Sequence, residues 1–185
     1  MGEGTETEVK LRLESPDAAR EALARVGATL VRPRHFEENV LFDDAAGSIR
    51  ATGGVVRLRT SPHASVLTFK GARRLVEGMK TREERQTLVE EPAAVRIILE
   101  RLGYRPVFRY QKYRESWTHH GQEIEIDETP IGTFLEIEGD PEGIRAVTAE
   151  LGHEASEYLS ESYVGLFFAQ GGQGDMVFDP PPGDG

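Results

Sequence analysis

Glu6-Thr7-Glu8-Val9-Lys10-Leu11-Arg12-Leu13 decides how this chain folds. Successive side chains of an extended strand point to opposite faces, so Glu6, Glu8 and Lys10 share one face while Val9 and Leu11 share the other. The apolar face must be covered, and the charged face either meets water or lines an interior. Ser15-Pro16 follows, and the run to Val26-Gly27 places Ala19, Leu23 and Val26 along one side of a helix. Ser can cap the first turn, Pro suits the first helical position, and Gly supplies the left-handed stop.

The same unit recurs twice. Arg82 to Val89 leads through Glu91-Pro92 to a helix ending at Leu102-Gly103, with Val95, Ile98, Leu99 and Leu102 as its apolar stripe. Phe134 to Glu138 leads through Asp140-Pro141 to a helix ending at Leu151-Gly152. Between these units the alternation predicts strands over Phe36–Asp43, Val55–Thr60, Ser65–Lys70, Val107–Trp117 and Gln122–Asp127. Turn signals such as Ala51-Thr52-Gly53-Gly54, Ser61-Pro62-His63 and His119-His120-Gly121 separate them. The fold class is therefore α+β, an antiparallel sheet of about eight strands with helices packed outside. A last amphipathic helix is expected over Tyr158–Ala169, bringing the domain to residues 1–170. Residues 171–185, rich in Gly and Pro, are expected to form a flexible tail.

The 185 residues suffice for one domain with a real core. The 22 Lys and Arg stand against 32 Asp and Glu, a formal charge of −10 that disfavours nucleic acid as a partner. No apolar run approaches the ~20 residues of a membrane span, and the absence of cysteine fits a cytoplasmic location. Oligomeric state is left open, homodimer included.

Followed strand by strand, one face collects Glu6, Glu8, Lys10, Arg57, Arg59, Lys70, Arg82 and Glu84. Lys112 with Arg114, then Glu123, Glu125 and Asp127, then Glu136 and Glu138, continue it. A wet sheet face with charges paired across strands accounts for any one of these strands. The collection as a whole is harder to explain that way, because solvent faces of sheets are commonly rich in Thr, Ser and Gln. If the sheet closes with its apolar side outward, the charged face becomes an interior that needs a ligand. Carboxylates in such density suit hard divalent cations such as Mg²⁺ or Mn²⁺, and Arg and Lys suit phosphate oxygens. A metal-bound polyphosphate uses both sets.

In these motifs the chain resembles the CYTH superfamily, the triphosphate tunnel metalloenzymes that include class IV adenylyl cyclases, thiamine triphosphatases and inorganic triphosphatases. The resemblance rests on Glu6-x-Glu8-x-Lys10, Val56-Arg57-Leu58-Arg59, Leu67-Thr68-Phe69-Lys70-Gly71, Arg82-Glu83-Glu84, Lys112-x-Arg114, and Ile126-Asp127 leading to Phe134-Leu135-Glu136-Ile137-Glu138-Gly139. It implies a closed eight-stranded antiparallel β tunnel that binds a triphosphate with one or two divalent metals. By position, Glu6, Glu8, Asp127, Glu136 and Glu138 match the metal set, and Lys10, Arg57, Arg59, Lys70, Lys112 and Arg114 the phosphate set. Arg82, Glu84 and Glu125 are further tunnel residues, and strict alternation puts Arg109 on the opposite face.

Many members carry Asp-x-Tyr-Phe-Asp where this chain has Asn39-Val40-Leu41-Phe42-Asp43, so an acid and a phenol are missing. His35 just upstream reads as a surface or packing residue before it reads as a substitute, and His119-His120 reads as an exposed hairpin tip. No residue is assigned as nucleophile or base. The activities the resemblance implies are hydrolysis of tripolyphosphate, thiamine triphosphate or ATP, cyclisation of ATP, or binding without turnover, with hydrolysis preferred.

Overall fold

The computed structural model describes residues 4–179. In chain order the elements are β1 (Thr5–Leu13), α1 (Pro16–Arg25), β2 (Thr29–Asp43), α2 (Ser48–Ala51), β3 (Val55–Thr60), β4 (Ser65–Lys70), β5 (Arg74–Val76), β6 (Met79–Val89), α3 (Pro92–Arg101), β7 (Arg105–His119), β8 (Gln122–Thr129), β9 (Gly132–Glu138), α4 (Pro141–Glu150) and α5 (Tyr163–Ala169). The strands pair antiparallel in the order β1-β9-β8-β7-β2-β3-β4-β6, and β6 pairs back onto β1. Eight strands thus form a closed ring. β5 is a short hairpin arm on β6 and adds nothing to its circumference.

Closure turns the period-two pattern into an inside and an outside. Val9, Leu11, Ile124, Ile126, Leu135 and Ile137 point outward and are buried against Ala19 and Leu23 of α1 and Ile144 and Val147 of α4. Each such aliphatic side chain contributes about 1.5–3 kcal/mol on burial, so this outer seam is the main core. The two helices start where the sequence places them: Ser15 Oγ accepts the Ala18 N–H at 3.1 Å, and Asp140 Oδ1 accepts that of Gly143 at 2.9 Å. Gly139 closes β9 with φ +156°, and a Cβ there would lie 1.8 Å from Gln122 Oε1, so a larger residue would displace the Gln122 amide and strain the backbone. A second cluster joins Phe108, Tyr110, Phe134, Tyr163 and Met176 beneath α5.

Several expectations are corrected. β2 begins at Thr29, seven residues before Phe36, because register shifts at Leu30/Arg32 and Arg32/His35 absorb Pro33, which has no N–H to donate. The last helix starts at Tyr163, where Ser162 Oγ caps the Gly165 N–H at 3.1 Å; Ala155–Glu157 form a separate 3₁₀ turn. On α3, Ile98 and Leu102 are exposed, and only Val95 and Leu99 of the expected stripe are half-buried. This helix touches the sheet mainly at β3 and leaves the far part of its stripe uncovered.

The Gly-rich segment after residue 170, expected to be flexible, is docked as far as it is described. β8 pairs with β7 only from Tyr113 onward, leaving the β7 edge near Tyr110 free. Met176 takes that edge: its N–H donates to Arg109 O and its carbonyl accepts from Gln111 N, both at 2.9 Å, and its side chain is fully buried. The remainder of the expected tail, residues 180–185, lies outside the described residues. None of the described helices is long and apolar enough to cross a membrane.

Candidate active site

The ring encloses a cavity of about 1140 Å³. Its lining includes Glu6, Glu8, Lys10, Arg57, Arg59, Lys70, Arg82, Glu84, Lys112, Arg114, Glu125, Glu136 and Glu138. Residues up to 132 positions apart in the chain therefore share one interior, because closure stacks the inward positions of eight strands. Asp127 is the exception. It sits behind the lining, fully buried, where Lys112 Nζ (2.8 Å), Arg114 Nε and Nη2 (2.7 and 2.6 Å) and the Tyr163 hydroxyl (2.8 Å) all donate to it. Its oxygens are taken up in holding those cations in place.

One wall, β1, β9 and β8, is mainly acidic. Lys70 Nζ donates to both Glu6 oxygens at 2.8 Å, and Arg82 Nε reaches Glu6 at 3.3 Å. Glu8 pairs with Lys80. Lys10 donates to Glu136 at 2.5 Å and lies 4.3 Å from the centre of the Tyr163 ring. Burial works to lower the pKa of Lys10, but Glu136 and Glu8 outweigh it and hold it above the ordinary lysine value. Glu136 is held well below the usual carboxylate range against its own burial, by Lys10, Lys112 and Arg114.

Glu138 differs from its neighbours. Among the described residues it has no basic partner, and the carboxyl is pushed up to about 8 by crowding from the protein and by the negative charges of Glu6, Glu8 and Glu84. The side chain is water-accessible at the tunnel mouth, which tempers the effect of burial; the like charges set the direction. Glu125 is likewise raised, first by burial, and its Oε2 is buried with no hydrogen-bond partner among the described residues.

The opposite wall, β7, β2 and β3, is mainly basic. Arg57 meets no carboxylate; Nη1 reaches the Tyr110 hydroxyl at 3.4 Å and Nε has no partner among the described residues. Arg59 has only Glu37 at 3.6 Å, and burial pulls its pKa down despite that pairing. Glu37 faces two cations, Lys112 at 3.7 Å and Arg59 at 3.6 Å, and the His35 ring at 3.6 Å, and its pKa is held down against its burial by Lys112 first.

Glu37, Lys80 and Tyr110 are functional candidates that the strand-by-strand reading missed. Glu37 lies inside the predicted strand two residues before Asn39, and continuing the alternation back from Asn39 would have found it. Lys80 precedes the stretch taken as strand, and Tyr110 shares the inward parity of Lys112. Asn39 is fully buried with both amide atoms unpartnered among the described residues, opposite Arg59 and Tyr110 in register. Leu41 leaves the wall without the phenol many members place there, and Tyr110 brings one in from β7. Asp43 is spent on structure: it accepts the N–H groups of Asp44, Ile49 and Arg50 at 2.9–3.0 Å and starts α2. His35 is buried behind Glu37, its ring nitrogen 2.9 Å from Pro33 O. Arg109 faces outward as alternation requires, paired with Glu38 and Asp175.

The CYTH domain family model matches residues 4–163. The chain belongs to the CYTH family. A Methanocaldococcus jannaschii protein carrying the name "Putative adenylate cyclase" is 28% identical over 134 residues, 72% of this chain and 75% of that one. Among solved structures, the PH1819 protein of Pyrococcus horikoshii superposes with a TM-score of 0.72 at 26% identity, covering 89% of this chain and 99% of its own. HpAC1 of Hippeastrum, an adenylyl cyclase candidate described as revealing a dominant triphosphatase activity, superposes at 0.67 with 23% identity, covering 91% and 97%. CYTH proteins process triphosphates, with cyclase and triphosphatase names among the relatives, and the family is generally dependent on divalent metals. The donor set of this tunnel fits such a metal, since Glu138 has no ion-pair partner among the described residues and Glu125 is met by Arg114 at 3.7 Å without a hydrogen bond.

Proposed function

We propose that this CYTH chain is a Mg²⁺- or Mn²⁺-dependent triphosphatase that hydrolyses tripolyphosphate or an organic triphosphate inside the tunnel. The observation that carries this reading is a matched pair of unfinished charges. On one wall burial and the negative charges of Glu6, Glu8 and Glu84 push the Glu138 carboxyl up to about 8, with no ion pair among the described residues, and on the other Arg59 is pulled down by burial with one carboxylate at 3.6 Å. A metal-bound triphosphate supplies the positive charge to the first and the negative charge to the second.

In this reading Glu6, Glu8, Glu136 and Glu138 hold the metal, which when bound neutralises phosphate charge and polarises phosphoryl oxygens. Arg57 and Arg59 take phosphate oxygens as forked donors, and Lys10, Lys70, Lys112 and Arg114 do so from the neighbouring strands. Asp127 and Tyr163 keep Lys112 and Arg114 oriented, so the donors are in place before charge develops on the leaving group. Glu125, raised by burial and with an oxygen that accepts no hydrogen bond among the described residues, receives the proton of the attacking water.

Cyclisation of ATP is the second reading. It is supported by the apolar part of the lining, Leu41, Phe42, Val107, Phe108 and Phe168, which offers a base or other organic group a place, and by the name of the archaeal relative. Purified protein with Mg²⁺ or Mn²⁺ is to be given tripolyphosphate, thiamine triphosphate and ATP in parallel, and the products resolved by chromatography. Orthophosphate release is the expected result. Cyclic AMP with pyrophosphate would replace hydrolysis by cyclisation, and metal-dependent binding without product would leave a binding module.

A further inference from the structure

The β7–β8 hairpin carries a second group of ligating side chains, away from the tunnel interior. His120 has φ +48° and Gly121 φ +78°, two left-handed residues that close a tight turn between the paired His119 and Gln122. On a straight strand adjacent side chains diverge. Here the left-handed step swings His120 beside His119, with ring centroids 4.0 Å apart. Gln122 fastens the turn, its amide donating to His120 O at 3.2 Å and to Asp140 Oδ2 at 2.9 Å. The two Nε2 atoms meet separate oxygens of Glu150, at 2.8 and 3.1 Å, and the three ligand atoms lie within 4.8 Å of one another.

Glu150 is also badly placed for a carboxylate. It is the last residue of α4, with no basic residue in that turn, so it faces the negative end of the helix dipole. Among the described residues its side-chain partners are these two histidines.

We propose that His119, His120 and Glu150 form a binding site for a borderline divalent transition cation of the zinc class, distinct from the tunnel metal. Two imidazoles and a carboxylate are donors that Zn²⁺, Co²⁺ and Ni²⁺ accept and that Mg²⁺ does not favour. Bonds of about 2.0–2.2 Å in tetrahedral geometry put ligand atoms roughly 3.4 Å apart, so the two Nε2–carboxylate contacts have to open slightly, while the widest pair, within 4.8 Å, has to close by a rotamer adjustment of the exposed His120 or Glu150. Three protein ligands leave the fourth position to water. His120 and Glu150 are exposed, so the ion enters without unfolding anything. Once bound it joins the hairpin tip to α4 and braces β8 next to Glu123, which pairs in register with Glu138 at the tunnel wall.

The test is calorimetric titration of the full chain with Zn²⁺ in excess Mg²⁺, repeated on His120→Asn and Glu138→Gln. Asn tolerates the left-handed turn, so the first variant removes the imidazole and keeps the hairpin. Wild type and Glu138→Gln are expected to bind one equivalent, with Co²⁺ giving visible absorption bands in both. In His120→Asn the affinity falls by on the order of 100-fold or more and the bands vanish. No Zn²⁺ equivalent in the wild type, as when the histidines merely cap the helix, overturns the proposal. So does an equivalent that survives His120→Asn, or one lost only in Glu138→Gln.

Discussion

The two walls of the tunnel solve opposite problems with the same device. On β1, β9 and β8 carboxylates outnumber cations, and the shortfall gathers at Glu138, which keeps a proton to about 8. On β7, β2 and β3 cations outnumber carboxylates, and the shortfall gathers at Arg57 and Arg59, with Glu37 shared three ways. Where the walls meet, at Asp127, Arg114, Lys112 and Glu136, every charge is paired at short range. A buried charge costs free energy unless it is compensated, so the paired seam is settled within the protein while the margins are left with charge that an outside ion of opposite sign would compensate.

The largest effect should come from the seam. Asp127→Asn leaves Lys112 and Arg114 buried beside a neutral amide and should cost about 3–5 kcal/mol in urea unfolding. A loss under 1 kcal/mol would mean that the seam is not what holds the walls together. Next come the margins, tested against each other. Arg59→Ala should weaken triphosphate binding by about 10- to 100-fold, since a hydrogen bond to a charged group contributes about 1.5–3 kcal/mol, and should leave the Mg²⁺ activation midpoint nearly unmoved. Glu138→Gln should do the reverse. If both variants shift both quantities equally, the division into a metal wall and a phosphate wall fails.

A smaller effect concerns pH. Folding raises the Glu138 carboxyl from its ordinary 4.5 to about 8, so between those values the metal-free folded chain holds a proton that the unfolded chain has released. Stability therefore falls as pH rises through that window and levels off above it. Denaturant midpoints measured from pH 5 to 9 in chelator should show the decline, and Glu138→Gln should flatten it. Smallest of all, Arg109→Ala removes a charge from the outer face of β7 and should stay within about 0.5 kcal/mol in stability, with substrate affinity unchanged. A clear loss of triphosphate binding there would place Arg109 inside and break the inside–outside division.

Much of this was legible in the chain. Alternation placed Glu6, Glu8, Arg57, Arg59, Lys70 and Glu136 on one face, and Ser15-Pro16 and Asp140-Pro141 marked two helix starts to the residue. The reading failed where a local signal met a distant partner. Pro33 hid the first half of β2, whose register shifts exist only against β7. The Gly-rich run after residue 170 has too few apolar residues to fold alone, yet Met176 finds the edge that β8 leaves open. His119-His120 looked like an exposed tip because Glu150, 30 residues on, is invisible to a scan of neighbours.

The sequence by itself determined which side chains face in and which face out, because that follows from the covalent geometry of each strand and needs no partner. Only the tertiary structure decided which of the inward charges are satisfied. Lys70 meets Glu6 across 64 residues once β6 pairs with β1, Lys10 meets Glu136 across 126 once β1 pairs with β9, and Glu138 has no ion-pair partner among the described residues. That remainder of unpaired charge is a property of the closed ring as a whole.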